Sequence, residues 1–314
     1  MCIGCMLLLG TSCQGTSEPF DGEEATAKPV LDALLLYHSY TSYESYDSEL
    51  KLYDFKSNTL RTISADWNIR HPMNGHFSPD GRLITFMGIG ENGSWDIFLY
   101  TLNSNEQPRN LTAHSSGREE DPKFSFDGSK IVFKQDGQLA EYLMASATIR
   151  KITSTPGTEY SMPYYSTDGK EIVCSVGAGS NSSICSVNLA DKSVKTLYNR
   201  INILEYYPVT IDDKSFYYTA SLSESSKCDQ LFRGFWSGLR SEKLLFNEGS
   251  ADYSDPFPVN DEWLLLSSTR AGSKGGYDLY IASATGQAIF SLSEYNSGIN
   301  TAKWELGSAI YVRH

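Results

Sequence analysis

Basic residues are scarce in this chain. Lys and Arg number 26 against 38 Asp and Glu in 314 residues, for a formal net charge of −12. A diffuse acidic surface repels a phosphate backbone, so no nucleic-acid partner is expected. No apolar run reaches the roughly 18–20 residues of a membrane-spanning helix. Histidine is limited to His38, His71, His76, His114 and His314. The patterns H-E-x-x-H, G-x-x-x-x-G-K and G-x-S-x-G are missing, which leaves no sequence support for a zinc peptidase, a P-loop or a serine-hydrolase elbow. Gly88-Ile89-Gly90-Glu91-Asn92-Gly93 matches G-x-G-x-x-G. A dinucleotide cradle needs a helix after it, however, and a hairpin strand follows here, so these are loop glycines and no cofactor is expected. Long helical patterns are few, whereas 20 Tyr and 14 Phe point to strands.

The N-terminus reads as a targeting segment. Met6-Leu7-Leu8-Leu9 is a short apolar run followed by small residues and Cys13, an arrangement that resembles a lipoprotein signal with Cys13 as the lipidated residue. Gly10 stands where Leu is usual, and no Lys or Arg precedes the run. An ordinary cleaved secretory signal is the alternative; both place the mature chain outside the cytoplasm. The division expected is a signal segment over 1–13, a flexible polar linker over 14–29 and a folded domain over 30–314. Past the signal, Cys174, Cys185 and Cys228 lack the spacing of a metal cluster.

One pattern recurs through the rest. An aromatic or apolar residue opens a turn that often ends in Asp-Gly, and a strand, a Gly/Ser hairpin and further strands follow. The clearest copy runs Phe77-Ser78-Pro79-Asp80-Gly81, Leu83–Phe86, Asp96–Tyr100, Leu111-Thr112. Openers fall at Phe77, Phe124, Tyr165, Val209, Phe257 and Trp304, spaced by 47, 41, 44, 48 and 47 residues. A four-stranded unit cannot bury both faces alone, and units packed around an axis do so with few free edges. A repeat of about 40–50 residues with four strands is the propeller pattern. The expected fold is therefore all-β, a six-bladed β-propeller of four-stranded antiparallel blades. The last blade combines Leu34–Tyr37, Leu50–Tyr53 and Leu60–Ile63 with a C-terminal inner strand at Trp304, leaving Ala309–Arg313 as a surplus strand. A seventh, incomplete blade beginning near Val30 is the competing count.

The F-S-P-D-G turn at Phe77, with its following strands, resembles the TolB family of propellers, and Ser268–Tyr280 is similar to repeats of envelope proteins carrying that propeller. The resemblance spans roughly residues 30–314. The fourth, fifth and last copies depart from it, with Asp212-Asp213, Asn260-Asp261 and Leu306-Gly307 in place of S-P-D-G. It is specific for fold and weak for function. Propeller lyases of pectic fragments resemble the fold and use histidine-rich metal sites; His71, His76 and His114 sit in different loops and on a strand, so no metal site is expected.

Acids stand beside tyrosines just before several inner strands: Glu159-Tyr160, Glu205-Tyr206-Tyr207 and Asp252-Tyr253, with Glu119-Glu120-Asp121 in the same place of another copy. Inner strands lie nearest the axis, so these ten residues are expected to ring one mouth of the channel and bind a basic peptide, a sugar or a cation. The competing reading has the acids capping loops and the tyrosines packing between blades. The function expected is a non-enzymatic, envelope-associated scaffold for a protein or peptide, with no catalytic residues. The alternative is a carbohydrate-binding or carbohydrate-active propeller using that acidic, aromatic mouth. The chain is expected to be exported to the periplasm or outer membrane, touching membrane only through an N-terminal lipid anchor. Finally, Cys174 and Cys185 take the places of Phe86 and Phe98 in the third copy. A symmetric hairpin centred between Gly179 and Ser180 sets them opposite each other, as a disulfide or as two small buried hydrophobes.

Overall fold

The computed structural model describes residues 27–178, 181–221 and 228–313. The signal segment with Cys13, most of the linker 14–29 and the hairpin centre at 179–180 lie outside the described residues. Apart from two three-residue 3-10 turns, Tyr43–Ser45 and Leu292–Glu294, the regular elements described are all strands.

Each unit runs antiparallel from an inner strand outward. One sheet orders Arg70–Phe77, Leu83–Ile89, Trp95–Thr101 and Arg109–Asn110; the next Glu119–Phe124, Lys130–Gln135, Gln138–Leu143 and Thr148–Lys151; a third Tyr253–Pro258, Trp263–Ser268, Asp278–Ser283 and Ile289–Ser291. The closing sheet orders the C-terminal Trp304–Val312 against Ala33–Tyr40, Glu49–Asp54 and Thr59–Thr62. The expectation of six separate four-stranded blades needs correction here, because four such sheets stand alone and the fifth has eight strands. Its halves begin at the inner strands Tyr160–Tyr165 and Leu204–Thr210, and one parallel pairing, Ser182 with Leu204, joins them.

A second correction concerns Trp304. Phe77 and Phe124 end their inner strands, but Trp304 begins one. Trp304–Val312 is a single strand that pairs with Ala33–Tyr40 along its length, so Ala309–Arg313 is not a surplus strand. The cause is a bulge. Every inner strand breaks register at a residue with φ near +50 to +60°, at Asn74, Asp121, Met162, Tyr207, Asp255 and Gly307, and Arg70–Phe77 breaks a second time nearer its start. Leu306-Gly307 is this bulge, not a turn. Proline follows the bulge in four strands, at Pro122, Pro163, Pro208 and Pro256, where the ladder is disrupted and a missing N–H does least harm.

The turns show why weak copies keep phase. Ser78 Oγ donates to Asp80 Oδ1 (2.6 Å) and accepts from Leu83 N (2.9 Å), and Ser125 with Asp127 and Ser166 with Asp168 repeat this. Asp212 Oδ1 takes the Lys214 and Ser215 amides instead, and Asn260 Oδ1 takes those of Glu262 and Trp263. A different side-chain oxygen closes the same turn. Apolar residues on neighbouring units then meet. Leu36, Leu50 and Leu52 pack against Ile84, Phe86 and Phe98, and five further clusters of this kind continue around the axis.

Candidate functional site

The inner strands define an axis with two ends. At the turn face, where they finish, all six contribute to a funnel of about 330 Å³ walled by Phe77, Phe124, Phe126, Tyr164, Phe257 and Tyr311. Phe126 is 43% exposed at its rim. His76 lies at the floor. Its Nδ1 accepts from Phe124 N (3.2 Å), which leaves the proton on Nε2 to donate to the Tyr164 hydroxyl at 3.0 Å. Burial holds His76 far below the usual imidazole range, so it is neutral, and the Tyr164 hydroxyl keeps its own proton for an incoming acceptor.

Midway, the bulge residues meet one another. Asn74 Nδ2 donates to Asp121 Oδ1 (2.7 Å), and Gly307 N to Asp255 Oδ2 (3.0 Å). Buried Lys123 is attracted by both carboxylates. Burial raises Asp121 and Asp255 and lowers Lys123, each charge easing the other's shift. Burial also brings His38 down to about 3, so it adds no charge. This polar plug separates the two ends.

At the hairpin face, where inner strands begin, the ten expected residues part company. Glu119 is buried and accepts from Ser115 Oγ (2.6 Å) and Gln135 Nε2 (2.9 Å). Glu205 is buried and accepts from Arg200 Nε at 2.6 Å. Tyr160 and Tyr253 sit in the apolar cores. Asp121 belongs to the plug, and Tyr207 lies near it, within the field of Asp255 and Asp121. Glu120, Glu159, Tyr206 and Asp252 remain for the rim. Lys134 Nζ bridges Glu120 (3.2 Å) and Glu159 (2.7 Å). Asp252 Oδ1 accepts from Asp229 N (2.9 Å), and the Tyr206 hydroxyl bonds the Asp229 carboxylate. Burial pushes Asp229 up to about 6; Tyr206 pulls it down, and Asp252 adds to the rise. Strand alternation explains the partition, since successive side chains point to opposite faces and an acid and the adjacent tyrosine do not both line a mouth.

The funnel was not among the expected sites, although the recurring openers Phe77, Phe124 and Phe257 line it. Sequence reasoning also missed Lys123, for which the x-Pro pattern at Pro122 is the cue. Cys174 pairs directly with Cys185 across the sheet, and both are buried free thiols. The disulfide is corrected on ladder parity. Leu189 N donates to Lys170 O, and alternation from that bond makes 174/185 a hydrogen-bonded pair, the wider kind, with Cβ atoms near 5.5 Å rather than the roughly 3.5–4.5 Å a disulfide takes. Among the described residues, no three His, Cys, Asp or Glu side chains are grouped to hold a metal. His71 and His76 are instead engaged by the amides of Ser48 and Phe124.

Strands radiating from a plugged axis and closed by pairing the two chain ends make this a β-propeller. The chain belongs to the TolB beta propeller domain family, whose model matches residues 36–208. TolB from Acinetobacter baumannii superposes with a TM-score of 0.68 at 16% identity, over 90% of this chain and 67% of that one. A protein from Agrobacterium tumefaciens described as a TolB gives 0.63 at 13%, over 90% and 98%. An oligogalacturonate lyase in complex with manganese gives 0.54 at 15%, over 82% and 72%. At such identities these likenesses concern the fold alone. No curated protein matches the chain by sequence.

Proposed function

We propose that this chain is a non-enzymatic, envelope-associated propeller that docks a protein or peptide partner in the funnel of its turn face. The observation that carries this is convergence: six inner strands build one aromatic pocket, with the Tyr164 hydroxyl held by His76 at its floor. Such a pocket suits an apolar side chain whose neighbouring carbonyl accepts from Tyr164. Six blades are the count we adopt, taking the eight-stranded sheet as two blades joined at one bridge; a bulge at the same place in each of six inner strands and six inter-blade cores support it. Export and lipidation at Cys13 belong to the same reading. The tether then leaves from the funnel's own face, since Pro29 O accepts from Tyr295 and Arg313 N donates to Asp32 O beside the strand that starts at Ala33.

The test is selection of a displayed random-peptide library on the mature chain, with Phe126→Asp as counter-target. Enriched peptides sharing an apolar anchor and losing affinity for the variant are expected. No enrichment, or binding indifferent to Phe126→Asp, overturns the reading.

A further inference from the structure

One inner strand departs from the repeat. Arg70–Phe77 breaks register twice where the other five break once, and the extra irregularity is His71, at φ +55°. A left-handed backbone at a non-glycine residue is strained, and strain of this kind is retained where the surroundings impose it. His71 is 1% exposed. Its Nδ1 accepts from Ser48 N (3.2 Å), so the ring proton sits on Nε2, and Nε2 has no hydrogen-bond partner. Four rings surround it: Tyr40, Tyr43, Tyr46 and Trp95, at centroid distances of 6.1, 5.5, 5.2 and 5.4 Å. Tyr43 and Tyr46, on the hairpin between Ala33–Tyr40 and Glu49–Asp54, are 39% and 49% exposed.

Beside this cage runs an open groove of about 1000 Å³, at the upper end of ligand-pocket sizes. Arg118 links the two. It lies over Trp95 (5.0 Å to the ring centroid), donates to the Tyr43 hydroxyl (3.0 Å) and to Glu120 (2.7 Å), and lines the groove. Glu120, Lys134, Gln138, Thr158 and Glu159 line it further, and Pro156 is its one apolar side chain among the described residues. Arg118 and Lys134 pair with Glu120 and Glu159, and Asp136, also in the lining, accepts from the Arg118 amide, so one negative charge is left over. Such a groove offers little to an apolar ligand, repels an anion and has one acid to spare for a cation. It suits a neutral molecule covered in hydroxyls.

We propose that this groove, ending at Tyr43 and Tyr46, binds a neutral oligosaccharide. A sugar ring presents its C–H face to the exposed tyrosines, whose negative π-faces attract it. Its hydroxyls accept from Arg118 and Lys134 and donate to Glu120 and Glu159. A hydroxyl reaching between Tyr43 and Tyr46 supplies the acceptor that the His71 Nε2 proton lacks. The site lies on the face opposite the funnel and does not depend on the funnel's role.

The experiment is calorimetric titration of the mature full chain with hexasaccharides of β-1,4-glucose, α-1,4-glucose, β-1,4-mannose and β-1,4-N-acetylglucosamine, with a hexauronate as the charged control. Saturable binding of at least one neutral probe is expected, weakened about tenfold or more by Tyr46→Ala, by Glu120→Gln and by His71→Phe. Because His71→Phe alters a buried position, Tyr46→Ala, at an exposed one, carries the test if that variant fails to fold. Phe126→Asp in the funnel leaves sugar binding unchanged. No saturation by any neutral probe at about 10 mM overturns the proposal. So does binding of the uronate alone, or sugar binding that Tyr46→Ala leaves intact.

Discussion

At the turn face the six inner strands end alike, and at the hairpin face they begin differently. The first end collects the last residues of all six inner strands, Phe77, Phe124, Tyr164 and Phe257 among them, into one apolar funnel. The second holds ion pairs, tyrosines and a strained histidine, no two blades contributing the same set. Repetition thus yields a pocket where the ends of the repeated strands converge on the axis. Where they diverge, each blade's exceptions decide the chemistry. An acid at the hairpin face is therefore framework in one blade and rim in the next.

The sharpest way to break that distinction is Glu205→Ala. The Glu205 carboxylate is buried and accepts from Arg200, and removing it strands the guanidinium. A loss of about 2–3 kcal/mol is expected in denaturant unfolding, discounted because Arg200 is partly exposed. A variant of wild-type stability would return Glu205 to the rim. Next, Phe126→Asp is expected to weaken a selected peptide by about 2 kcal/mol in calorimetry while leaving stability within about 0.5 kcal/mol, because the ring is exposed. Equal losses in both would make Phe126 a packing residue.

Asp229 separates the ends by pH. Its folded carboxyl titrates near 6, above its unfolded range, so the folded state binds the proton more tightly. This contribution to stability is full below about pH 4 and is lost as pH rises through 6. Asp229→Asn is expected to flatten the melting temperature across that window and to stabilise the chain by about 1–2 kcal/mol at pH 7.5. An unchanged pH profile would show that the carboxyl is solvated. The smallest effect belongs to Glu159→Ala. Its bridge to Lys134 is half-exposed and Glu120 still holds that lysine, so stability stays within about 0.5 kcal/mol.

Strands, their phase and the closing of the last sheet by both chain ends were legible because each depends on local signals: Asp-Gly turns, alternating apolar residues and regular spacing. The misplacement of Trp304 came from reading Leu306-Gly307 as a turn; a glycine at positive φ serves a bulge as readily as a hairpin. The acid–tyrosine pairs had the right neighbourhood and the wrong partition, since which side of a strand faces the axis is set by a bulge that composition does not reveal. Lys123, His71 and the funnel were illegible for a different reason. Each gains its character from residues dozens of positions away: Asp255 for Lys123, Ser48 and Trp95 for His71, and all six strand ends for the funnel.

The pairing of Trp304–Val312 with Ala33–Tyr40 also sets an order in time. The two partners lie at opposite ends of the described chain, so the loop to be closed spans nearly all of it, and contacts of such separation form late and slowly. Until the last strand arrives, Ala33–Tyr40 has an unpaired edge and Leu35 and Leu36 lack part of their cover. A growing chain therefore stays an open arc with a sticky edge. Completion of the C-terminal strand is the step that converts that arc into a ring.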